Sequence, residues 1–121
     1  MRGLGQLEGE IMDRLWSWGR PASVREVVDD LNRTRPVAYT TVNTVADILF
    51  QKGLLRRHKD GRAWIYQPVR SREAHTAELM HEVLGEGGDP QAALLLFIES
   101  LDERQASALR GIVRRATGGD A

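Results

Sequence analysis

Residues 39–68 read Tyr39-Thr40-Thr41-Val42-Asn43-Thr44-Val45-Ala46-Asp47-Ile48-Leu49-Phe50-Gln51-Lys52-Gly53, then Leu54-Leu55-Arg56-Arg57-His58-Lys59, then Asp60-Gly61, then Arg62-Ala63-Trp64-Ile65-Tyr66-Gln67-Pro68. In the first segment Val42, Val45, Ala46 and Leu49 recur at helical spacing. Thr40 is expected to cap this helix, and Gly53 to end it in the left-handed conformation. The second segment predicts a hairpin, with Asp60-Gly61 as a two-residue type I′ turn. Trp64 and Tyr66 would share one face of the return strand, and Ala63 and Ile65 the other. A helix with polar groups on its outer face, followed at once by a basic hairpin, is the order of a winged helix-turn-helix.

Upstream, Leu7, Ile11 and Leu15 stack at spacing four, with Met12 and Trp16 widening the stripe, which predicts a helix over 7–18 stopped by Gly19-Arg20-Pro21. Ser23-Val24-Arg25-Glu26 has the form of a capping box, and Val24, Val27, Val28 and Leu31 follow as the apolar stripe of a second helix. Downstream of Pro68 three more helices are expected. Ser71 caps the first, over 72–84. Asp89-Pro90 opens the second, running through Leu101, and Asp102 with Gln105 starts the third. The expected class is therefore mainly α with a small β-hairpin wing. Residues 1–70 would form a winged-helix DNA-binding domain and residues 71–121 a three-helix dimerisation region.

The run Leu94-Leu95-Leu96-Phe97-Ile98 carries more apolar surface than one packing face needs, and a second copy of the chain is the simplest cover. A dimer interface is expected from Leu79 and Val83 on the first of these helices, and from Leu94, Phe97, Ile98 and Leu101 on the second. Leu109 and Val113 on the last helix complete it.

The chain has 121 residues and no formal net charge, but the charge is unevenly spread. Residues 1–70 hold 12 Lys and Arg against 8 Asp and Glu, a balance of +4, and residues 71–121 hold 5 against 9, a balance of −4. The basic half is the half that contains the hairpin. With no cysteine, disulfides, zinc-thiolate sites and thiol catalysis are all excluded. The longest apolar run is far short of the roughly 20 residues that span a bilayer, and the N-terminal residues lack the apolar core of a signal peptide. A cytoplasmic protein without membrane insertion is expected. His58, His75 and His81 lack metal-ligand spacing, and neither a phosphate loop after a strand nor a nucleophile elbow is present. No enzyme, cofactor or metal is expected.

Thr40, Thr41, Asn43, Thr44 and Asp47 form the outward face of the third helix and are the candidate contacts to base edges and backbone. Threonine offers a hydroxyl together with a methyl group that fits the thymine methyl, and asparagine can pair bidentately with adenine N6 and N7. The same residue types also make an ordinary solvated face; the hairpin that follows favours the DNA reading. Arg56, Arg57, Lys59 and Arg62 are the candidate phosphate contacts of the wing. An alternative is a winged helix serving as a protein-interaction module without sequence-specific DNA binding, its acidic, apolar C-terminal half being the working surface.

Taken together, Leu7 through Trp16, Tyr39 through Val45, Lys52-Gly53-Leu54-Leu55 and Trp64-Ile65-Tyr66 resemble the penicillinase-repressor family of transcriptional regulators, over essentially the full length. The resemblance implies a homodimer that represses from a dyad-symmetric operator of double-stranded DNA, with base contacts from Thr40, Thr41, Asn43 and Thr44 and the wing at Arg56, Arg57, Lys59 and Arg62. It also implies derepression by proteolysis in the C-terminal region, initiated directly or indirectly by a membrane-bound sensor metalloprotease in an antibiotic response. The matching bond is Leu96–Phe97. Two positions depart from the family pattern. Ile48 stands where many members have arginine, and Leu96 replaces the asparagine that precedes the cleaved bond in staphylococcal members. The copper-sensing branch uses C-terminal cysteines, which this chain lacks.

Overall fold

The computed structural model describes residues 3–118. In chain order the elements are α1 (Gln6–Trp18), β1 (Ala22–Ser23), α2 (Val24–Leu31), α3 (Tyr39–Gln51), β2 (Leu55–Asp60), β3 (Ala63–Pro68), α4 (Arg72–Glu86), α5 (Pro90–Glu99) and α6 (Glu103–Ala116). By compactness the chain divides into Met1–Leu79 and Met80–Ala121, so the first two turns of α4 belong with the N-terminal unit.

The N-terminal unit is built around one core. Ile11, Met12 and Leu15 come from α1, Val24, Val27, Val28 and Leu31 from α2, and Val42, Ala46 and Leu49 from α3. Leu55 and Tyr66 close it from the hairpin, and Ala22 from β1. The stripes that predicted the three helices face this core, with Leu7, Trp16 and Val45 only partly buried. The capping box forms as expected: Ser23 Oγ accepts from the Glu26 amide at 3.2 Å, and the Glu26 carboxylate accepts from the Ser23 amide at 3.0 Å. These bonds, with the Arg20 guanidinium, hold the Glu26 carboxyl below its ordinary range.

Three local expectations change. The cap of helix α3 lies two residues earlier than expected, at Ala38 and with no side-chain cap, so Thr40 lies inside the first turn. The hairpin pairs Asp60 with Ala63, which makes Gly61-Arg62 the connecting pair instead of Asp60-Gly61. Gly61 has φ 64° while no non-glycine residue among the described residues has positive φ, which excludes type I′ and matches the glycine-first pattern of type II′. The sheet also has a third strand, two-residue β1, in the antiparallel order β1-β3-β2. It is too short to announce itself by alternation.

The start of α4 is tied to α1. Trp16 Nε1 donates to the Arg70 carbonyl at 3.0 Å, the His75 ring lies 5.4 Å from the Trp16 ring, and Arg72 covers the same indole while reaching the Asp13 carboxylate at 3.4 Å. Both His75 ring nitrogens are buried without a hydrogen-bond partner.

In the C-terminal unit, Asp89 caps α5 by accepting from the Ala92 amide at 3.1 Å, with Pro90 in the first turn. Asp102 and Gln105 form a reciprocal capping box on α6. None of the described residues of α5 or α6 is buried. Ile98, Ala106, Leu109 and Val113 line an open groove edged by Arg110, Arg114 and Thr117.

Candidate nucleic-acid interface

The burial of Val42, Ala46 and Leu49 fixes the rotation of α3, and with it the face presented to solvent. Thr40, Thr41, Asn43 and Thr44 are exposed on that face, and the Asp47 side chain is half-exposed. The Thr44 hydroxyl donates to the Thr40 carbonyl at 2.9 Å, which turns its hydroxyl hydrogen into the helix. Ile48 is exposed beside them. Because Ala38 has no side-chain acceptor, the first amides of α3 are uncapped by the protein, and helix N-terminal amides favour anions.

Two salt bridges and a ring contact set α3 in place. Lys52 Nζ meets the Glu8 carboxylate at 2.8 Å, tying the C-terminus of α3 to α1; this bond, with the Gly5 amide, holds the Glu8 carboxyl below its ordinary range. At the other end the Arg25 guanidinium lies 4.7 Å from the centre of the Tyr39 ring. Arg25 was not singled out in the sequence; its place in the first turn of α2, the helix preceding α3, is the signal that could have found it. The second salt bridge joins Arg57 Nη1 to Asp47 Oδ1 at 2.8 Å, so one predicted wing residue and one predicted helix residue meet directly.

The wing residues fall into two sets by strand parity. Arg57 and Lys59 lie on the face shared with Tyr66 and Trp64, their direct cross-strand partners. The Arg57 side chain is only 17% exposed. Its guanidinium sits 3.9 Å from the Phe50 ring centre and 4.3 Å from that of Trp64, and donates to the Tyr66 hydroxyl at 3.1 Å. The Tyr66 hydroxyl, then the Asp47 carboxylate, raise its pKa above the usual arginine value. Lys59 is exposed, with Nζ 4.6 Å from the Trp64 ring centre. Arg56, on the opposite face, and Arg62, in the turn, are exposed, and neither is in an ion pair among the described residues.

Of the residues expected at a dimer interface, Leu79, Leu101 and Leu109 are half-buried, whereas Val83, Leu94, Phe97, Ile98 and Val113 are exposed. Leu96 and Phe97 stand in the second half of α5, both solvent-facing. Among the described residues no group of three His, Asp or Glu side chains is placed to hold a metal ion, and no helix is long and apolar enough to cross a membrane.

Residues 4–115 match the family model of the penicillinase repressors. The chain belongs to the penicillinase repressor family. Over 110 residues this penicillinase repressor family chain is 43% identical to the transcriptional regulator BlaI of Mycobacterium tuberculosis, covering 88% of this chain and 80% of that one. The solution structure of the DNA binding domain of the repressor BlaI superposes with TM-score 0.51 at 28% identity, over 59% of this chain and 85% of that domain. YusO from Bacillus subtilis shares the fold over 97% of this chain and 77% of its own, with TM-score 0.54 and 17% identity. The fold is a winged helix-turn-helix with helical C-terminal elements, as the sequence led us to expect.

Proposed function

We propose that this protein is a sequence-specific DNA-binding transcriptional repressor acting as a homodimer on a dyad-symmetric operator. The observation that carries the proposal is the exposed face of α3, Thr40, Thr41, Asn43 and Thr44, set beside a hairpin whose exposed Arg56, Lys59 and Arg62 are positively charged. The relatives named as repressors and regulators support it. An α-helix about 10–12 Å across fits a major groove about 12 Å wide. With the first turn of α3 in the groove, its uncapped amides meet a phosphate and Asn43 reaches an adenine edge. The wing adds phosphate contacts that give affinity without sequence preference.

One copy reads one half-site. The apolar side chains of α5, uncovered within the C-terminal unit, favour a second copy as their cover, and an isologous dimer presents two recognition helices to a palindrome. Half-sites would then lie about 34 Å, or one helical turn, apart or at multiples of that spacing. Derepression by cleavage at Leu96–Phe97, downstream of a membrane-bound sensor protease, follows the family resemblance. The bond lies within α5, so a protease must first unwind that helix locally.

Anisotropy titrations of labelled duplexes carrying the region upstream of the gene, at two salt concentrations, test the proposal. Binding should fall steeply with salt, and Asn43→Ala should weaken preference at defined base pairs without changing the salt slope. If Asn43→Ala and Thr44→Ala leave operator affinity and preference intact, α3 is not the reader. If duplex DNA is not bound at all, the protein-interaction reading replaces this one.

A further inference from the structure

Arg57 stands out among the wing cations because it is not available as they are. Its guanidinium lies over the rings of Phe50 and Trp64, and Nη1 is shared between Asp47 Oδ1 and the Tyr66 hydroxyl. Phe50 and Asp47 belong to α3, Trp64 and Tyr66 to β3, and Arg57 to β2. A single side chain therefore joins the recognition helix to both strands of the wing. Arg25, by comparison, is 63% exposed.

Asp47 is the other half of the arrangement. It sits one helical turn beyond Asn43 and in line with Thr40 and Thr44, with its side chain 50% exposed. An unpaired carboxylate on a helix entering a groove would be repelled by phosphates on both sides. The Arg57 contact offsets that repulsion and fixes the orientation of the carboxylate, leaving acceptor capacity on its solvent side. In the major groove the matching donor for a carboxylate is the cytosine N4 amino group.

We propose that Asp47 is a specificity-determining residue that accepts from a cytosine amino group in each half-site, and that Arg57 is a positioning residue that holds Asp47 and contacts no phosphate. The inference rests on the DNA-binding reading above, and it separates Arg57 from Arg56, Lys59 and Arg62, which keep the phosphate role. The guanidinium lies over two rings while its Nη1 donates to two oxygens, a combination that suits a planar, delocalised cation. A lysine would keep the charge and lose the planarity.

The test uses the full-length protein and a pool of duplexes with a randomised core, sequenced after selection and followed by titrations of single duplexes. The wild type should enrich a motif with cytosine at a fixed position of each half-site, favoured roughly tenfold over other bases. Asp47→Ala should enrich the same motif with that one position relaxed to within about twofold. Arg57→Lys should relax the same position while the slope of log affinity against log salt stays at the wild-type value. The double variant should be no less selective than Asp47→Ala alone. The idea is overturned if Asp47→Ala keeps the cytosine preference. It is overturned equally if Arg57→Ala reduces the salt slope by about 0.9 per protomer with the motif intact, the result for a phosphate contact. Asp47 is on the surface, so its variant decides the matter even if the Arg57 variants unfold. A wild type that enriches no motif refutes the DNA reading itself, a result distinct from either failure above.

Discussion

Phe97→Ala is the sharpest probe of the proposed dimer. In the single chain Phe97 is 54% exposed on a helix with no buried residue. A phenylalanine presents about 200 Å², so roughly 110 Å² remains for a partner to cover. At ~25 cal/mol per Å² that is about 2.7 kcal/mol, of which about 2 is lost when alanine keeps only the β-carbon. Twofold symmetry counts the loss once per copy, giving about 4 kcal/mol and a dissociation constant raised roughly a thousandfold. The competing effect has the opposite sign: alanine is the better helix former by a few tenths of a kcal/mol, so α5 itself does not suffer. Sedimentation equilibrium across nanomolar to micromolar concentrations, with circular dichroism confirming helix content, reads the shift directly. On a palindromic duplex the variant should lose cooperative binding and retain half-site affinity. An unchanged dimer constant, or a wild type that sediments as a monomer at micromolar concentration, refutes the reasoning.

Further outcomes follow from the N-terminal unit. Lys59→Ala and Arg62→Ala should each reduce the salt slope of DNA binding by about 0.9 per protomer and weaken all sequences alike, measured by anisotropy at several salt concentrations. Ser23→Ala should cost about 1 kcal/mol in urea unfolding by removing the α2 cap; a change within error would show that the capping box is ornamental. Gly61→Ala, at φ 64° in the wing turn, should cost about 1 kcal/mol in the same assay. Glu8 has its folded pKa depressed below the ordinary 4.5, mainly by Lys52, so its contribution is present above that value and is lost as pH falls through the folded value. Urea melts of wild type and Glu8→Gln should therefore differ at pH 6 and converge at strongly acidic pH.

What the sequence disclosed was mostly local. The Ser23–Glu26 box spans four residues, and the stripes of α1, α2 and α3 need only one turn of lookahead, so their burial was readable. The start of α3 was misjudged because a threonine in the first turn has the same chemistry as a threonine cap. The turn slipped by one residue because Asp60-Gly61 and Gly61-Arg62 both offer a glycine at a positive-φ position. Strand β1 exists only through its pairing with β3, as Ala22↔Tyr66 and Ser23↔Ile65. Four like charges in the hairpin looked equivalent in the sequence. Alternation already set Arg57 on the side of Tyr66, but Phe50 and Asp47 reach it only through the packing of α3 on the sheet. The clasp of Trp16 on Arg70 and His75 spans more than fifty residues, and no local pattern announces it.

The bare N-terminus of α3 gives the protein a built-in tension. Ala38 leaves unmet a capping interaction worth about 1 kcal/mol, at the helix proposed to read DNA. A phosphate seated there completes the helix from outside. On the proposed binding mode, part of the affinity for DNA would come from finishing the protein's own fold, and that part would be independent of base sequence. A chain repaired with Ala38→Asp would stand more firmly alone and would set a carboxylate where a phosphate belongs. Robustness in the absence of DNA and grip on it are opposed at this one residue.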